Sequence, residues 1–102
     1  MRPVHLNVNI KGIAKTGQVF INNEELTPSR SQKVINHSPD GFAWGYGGSG
    51  PSQLALAILL KFYDKNVALR NYQDFKWRVV SKLDVDKDFD IDIDLAEYID
   101  FV

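Results

Sequence analysis

The stretch LALAILL, Leu54 to Leu60, is the longest strictly apolar run in the chain. It follows a decapeptide, WGYGGSGPSQ, that holds four of the seven glycines. Seven apolar residues fall far short of the roughly 20 that cross a bilayer, so the protein itself must bury them. Pro51 suits the first position of a helix, where its missing N–H costs nothing. The pattern predicts a helix from about Pro51 to Tyr63, with Gly50 as N-cap and Gln53 at the third position. A helix apolar on nearly every side belongs at the centre of a fold.

The rest of the chain supplies the cover. Val4, Leu6, Val8 and Ile10 alternate with polar residues, which predicts a half-buried strand. The same alternation leaves no continuous apolar stretch of the kind a secretory leader carries. Gly12 to Gly17 reads as a turn, Val19 to Ile21 as a hairpin partner, and Asn22-Asn23 as a further turn. Thr27 to Ser31, with Pro28, reads as a loop, and Lys33 to Asn36 as a short strand. Ser38-Pro39-Asp40-Gly41 is a tight turn. In the next segment Phe42, Trp44 and Tyr46 fall on one face of an expected strand, opposite Ala43 and Gly45, whose small size would admit another backbone. A second helix is expected from Val67 to Leu83, capped by Asn66, with Leu69, Tyr72, Phe75, Val79 and Leu83 inward and a basic outer face. Phe89, Ile91 and Ile93 alternate with aspartates as an acidic edge strand, and Asp94 caps a last helical turn. The fold class is therefore α+β: a small, mostly antiparallel sheet packed against two main helices, with a short C-terminal strand and helix. At 102 residues this is one domain, 1–102.

Charge is unevenly spread. Residues 1–83 carry a net +6 and residues 84–102 a net −7. There is no cysteine, which excludes a disulfide framework, thiolate-bound zinc and a cysteine nucleophile. Asp86 to Glu97 can be aligned to a calcium loop, but Ile91 stands where that loop turns on glycine. No metal or cofactor is expected.

The glycine corner is the leading candidate site. Successive amides in a tight turn at a helix N-terminus form an anion cradle, to which Ser49 and Ser52 add hydroxyls. Gly45 to Gly50 has GxGxxG spacing, but no acidic residue in the position that would hold a ribose, and no Gly-Lys-Ser/Thr of a P-loop. The expected ligand residues are Gly47, Gly48, Ser49, Gly50 and Ser52 for a phosphate, and Trp44 or Tyr46 for a stacked base. His37, Gln73, Lys76 and Arg78 would add charge or hydrogen bonds. A rival surface is the acidic series Asp84, Asp86, Asp88, Asp90, Asp92 and Asp94, whose spaced carboxylates would imitate nucleic-acid phosphates toward a basic partner. A third reading, a small hydrolase using His37 with Asp40 and Ser49, lacks the GxSxG elbow.

The run NHSPDGFAWGYGGSGPSQLALAILL, followed by YQDFKW, resembles a family of small uncharacterised domains encoded by bacteria, phages and mobile elements. The likeness spans Asn36 to Trp77. The resemblance implies a setting rather than a mechanism; in that setting the glycine corner leads to the expectation of a non-enzymatic binding module, a cytoplasmic counter-defence protein, in the host cytoplasm if phage-encoded. Its partner would be a small phosphorylated ligand or, in the rival reading, a host defence protein. Membrane contact and direct nucleic-acid binding are not expected, and a homo-oligomer is left open.

Overall fold

The computed structural model describes residues 5–101. Val4, placed in the first strand by the alternation, lies outside them. The architecture is α+β, a four-stranded antiparallel sheet with two main helices. In chain order these are β1 (Asn7–Ile13), β2 (Gln18–Ile21), β3 (Glu24–Leu26), α1 (Ser29–Val34), α2 (Ser49–Phe62), α3 (Lys65–Arg78) and β4 (Phe89–Asp94). Single 3-10 turns at Val80–Lys82 and Leu95–Tyr98 follow α3 and β4.

The sheet order is β3-β2-β1-β4. Ile10 of β1 stands opposite Ile21 of β2 and Ile91 of β4. Val8 and Ile10 point inward, as do Val19 and Ile21, and they join the α2 and α3 side chains in one core. On the other face Asn7, Asn9 and Lys11 face Asp94, Asp92 and Asp90 across the β1–β4 pair. Gly12 belongs to β1 rather than to the turn, paired with Val19 and Phe89, and the Phe89 ring over its Cα leaves no room for a side chain. Asn22 and Asn23 both take positive φ at the β2–β3 turn, a conformation asparagine tolerates well.

Every residue of α2 from Gly50 to Leu60 is buried, as a helix without a polar face requires. Each fully buried Leu or Ile contributes about 1.5–3 kcal/mol, against roughly 1 kcal/mol for an N-cap, so packing rather than capping sets where this helix lies. Its N-cap is Gly48, two residues earlier than Gly50, because Ser49 and Gly50 continue the helix ahead of Pro51. The α3 cap is Asp64, not Asn66: its carboxylate accepts from the Val67 amide at 2.9 Å. Nor does α3 run to Leu83; it ends at Arg78 and hands over to the 3-10 turn.

Two further expectations are corrected. Thr27 to Asn36 is not a loop and a strand, since Ser29–Val34 forms α1. Phe42 to Tyr46 is not a strand, and the chain there runs as an irregular segment across the α2 N-terminus. The α1 correction has a specific cause in Gln53. Its fully buried side chain donates to Ser31 Oγ (2.8 Å) and the Ile35 carbonyl (3.1 Å), and accepts from the His37 and Ser38 amides (2.8 and 3.0 Å). A six-residue helix is too short to persist alone; one α2 side chain holds it at Ser31, at its C-cap Ile35 and at the two amides that follow.

Candidate functional site

The glycines of the corner fall into two pairs. Gly45 has φ +90°, and its amide donates to the Val80 carbonyl at 3.0 Å. A Cβ there would lie 2.6 Å from the Val85 backbone. At Gly50 a Cβ would lie 2.6 Å from that of Ala43. These two glycines, with Ala43, let backbones approach closely, as the row of small residues implied, although not within a strand. Gly47 and Gly48 differ: what covers them is not backbone but the rings of Trp77 and Tyr46. Those rings are 56% and 48% exposed.

The same segment holds a set of unused donors. Among the described residues, the amides of Tyr46, Gly47, Gly48, Ser49 and Gly50 have no hydrogen-bond partner, and the first bond in this segment after Gly45 is Ser52 N–H to the Gly48 carbonyl at 3.1 Å. The hydroxyls of Ser49 and Ser52 are also without partners there. Lys76 of α3 reaches the same corner. The residue is 5% exposed, its ammonium lying 3.4 Å from the Gly47 carbonyl and 4.2 Å from the Trp77 ring centre. No carboxylate of the described residues pairs with it. A charge so removed from water is normally paired.

Other expected site residues are placed elsewhere. Trp44 is a core residue, its ring edge-on to Phe89 at 4.8 Å and its indole N–H donating to the Lys87 carbonyl, so it offers no free face for stacking. It lines, with Tyr46, Phe42 and Asp86, a cavity of about 190 Å³ beside the corner. Arg78 turns away, toward Asp74 at 3.4 Å and over the Tyr98 ring. Gln73 is exposed on α3, one turn before Trp77. His37 Nε2 meets the Tyr72 hydroxyl at 2.8 Å, one helical turn from Lys76, and hydrogen-bonds neither Asp40 nor Ser49. Trp77, not among the expected ligand residues, also flanks the corner; the sign in the sequence is its polar flank on α3, Gln73, Asp74 and Arg78.

The acidic segment is largely engaged with β1. Asn9 Nδ2 donates to Asp90 (2.7 Å) and Asp92 (3.0 Å), and the Ala14 amide donates to Asp88 (2.7 Å). Asp94 accepts from the Leu6 amide (2.8 Å) and the Ala96 amide (3.2 Å) and meets His5 Nδ1 at 2.6 Å. Asp84 and Asp86 are exposed, and neither has a hydrogen-bond or ion-pair partner among the described residues. The bond and charge of Asp94 raise the His5 pKa above 6.5, while the Leu6 amide and then His5 lower that of Asp94 below 3.8. The His5 contribution to stability is therefore complete below pH 6.5 and lost as pH climbs through the raised value. That of Asp94 is complete above pH 3.8 and lost as pH falls through the lowered one. In an NMR titration His5 is expected to titrate above 6.5, and in Asp94→Asn to fall back toward it; an unchanged midpoint would show that the contact does not form in solution.

Among the described residues, no helix is long and apolar enough to cross a membrane. The model of a family of unknown function, DUF6166, matches residues 10–99, and the chain belongs to that family. No curated protein and no solved structure matches the chain.

Proposed function

We propose that this member of the DUF6166 family is a non-enzymatic binding module that captures a phosphorylated, nucleotide-type ligand where α2 begins. The observation that carries the reading is Lys76: a buried ammonium without a carboxylate, aimed at a corner with five unused amides. Helix N-termini carry a partial positive charge and favour anions, and here the cation adds to it. An anion seated there would meet both and relieve their mutual repulsion. Tyr46 and Trp77, half-exposed on either side of Gly47-Gly48, supply flat surfaces for a base. Trp77 thus takes the stacking role that Trp44 cannot. In a phage or mobile-element setting, such a module would act in counter-defence by sequestering a nucleotide signal. The rival reading through the acidic segment draws less support, because β1 and the residues flanking it already engage Asp88, Asp90, Asp92 and Asp94.

A thermal-shift series with nucleotides of increasing phosphate number, and with inorganic phosphate, tests this. A ligand at a hundredfold excess over its Kd adds about 2.7 kcal/mol, roughly 10–20 °C for a domain of this size. Lys76→Met should abolish that shift while leaving the ligand-free protein as stable or more so, since an unpaired buried charge is replaced by an apolar chain of similar length. No shift with any phosphorylated compound, or an undiminished shift in Lys76→Met, would overturn the reading.

A further inference from the structure

A second cavity, about 280 Å³, opens far along α2 from the glycine corner, between β3, α1 and the C-terminal half of α2. This volume lies just below the range for drug-sized ligand sites, roughly 300–1,000 Å³, and so suits a smaller molecule. Leu26, Ala57 and Leu60 supply the apolar part of its lining, and Glu25, Thr27, Arg30, Ser31 and Lys61 a larger polar part. Its α1 wall is held rigidly: Ser31 Oγ donates to the Pro28 carbonyl at 2.8 Å and accepts from Gln53. The cavity is therefore formed before anything enters it.

Its charges are the informative part. Lys61 lines the cavity but is held by Glu24 at 2.9 Å. Glu25 and Arg30 line it too, and neither has a partner among the described residues, not even each other. One free anion and one free cation on the rim of a small, partly apolar cavity complement a ligand that bears both charges on a short aliphatic body. We infer that this cavity binds a free α-amino acid with an aliphatic side chain. Arg30 takes the carboxylate, as guanidinium suits by its paired donors; Glu25 takes the ammonium, and the side chain lies on Leu26, Ala57 and Leu60.

The test is an NMR titration of the isotope-labelled protein with L-leucine, N-acetyl-L-leucine and L-leucinamide. Leucine is expected to give saturable shifts in residues 25–31 and 57–61. Each blocked analogue should bind at least about tenfold more weakly, one charged contact being lost. Arg30→Gln and Glu25→Gln, both at exposed positions, should keep the dispersed spectrum and weaken leucine by a similar factor. No saturable shift by about 10 mM leucine would overturn the inference. So would analogues that bind as well as leucine, or variants that bind it unchanged. Nucleotide binding at the α2 N-terminus stands or falls separately.

Discussion

Gly45→Ala is expected to cost about 2–6 kcal/mol: roughly 1–3 for a side chain held at positive φ and as much again for overpacking. The added methyl would lie 2.6 Å from the Val85 Cα and amide nitrogen and 2.8 Å from the Leu83 carbonyl oxygen. All three are backbone atoms, so no rotamer change relieves the contact; the segment leading into β4 must move. Gly48→Ala is the control. Gly48 has φ −93°, and the atoms in the way belong to the half-exposed Tyr46 ring, which can swing aside. It should fall within about 1 kcal/mol of the parent, close to an ordinary surface change. Urea denaturation of the two variants separates the packing glycines from those beneath the candidate site. Equal midpoints for Gly45→Ala and the parent would show that the close approach of 45 to 85 is not made.

Gln53→Leu should be about as damaging, losing roughly 3–5 kcal/mol and lowering Tm by more than about 12 °C. The volume is kept, so the loss comes from hydrogen bonding. The His37 and Ser38 amides lose their acceptor, and Ser31 Oγ and the Ile35 carbonyl lose their donor. A buried polar group left without a partner costs about 1–3 kcal/mol. The His37 to Tyr72 contact should loosen with it, and the His37 ring resonances report that directly. A variant within about 1 kcal/mol of the parent would mean that water replaces all four bonds.

Where pattern and environment agree, the fold was legible. Period-two alternation located β1 and β4, because each has one face on the core and one in water. The unbroken apolar run located α2, because no polar face was left to expose. Phe42 to Tyr46 misled for the opposite reason. It has the alternation of a strand, yet the Gly45 amide is taken by Val80, 35 positions on, and its positive φ bends the chain out of extension. The helix α1 was illegible because its cause lies in Gln53, a side chain 22 residues from Ser31. At the candidate site the glycines and Lys76 could be named from sequence. That Trp44 is sealed and Trp77 open could not, since Trp44 is covered by Phe89 and Lys87, more than 40 residues on, and Trp77 lies on the exposed side of α3.

The pairing of β1 with β4 carries a kinetic consequence. Ile10 and Ile91 are 81 positions apart, with both helices made between them. During translation the β1–β2 hairpin emerges early, and one of its margins waits, unprotected, for nearly the whole chain. Such distant partners slow folding because their encounter must overcome a large chain entropy, and an open margin invites adhesion to other nascent chains. The aspartates interleaved along β4 repel one another between copies, which opposes the pairing of that strand with another chain's.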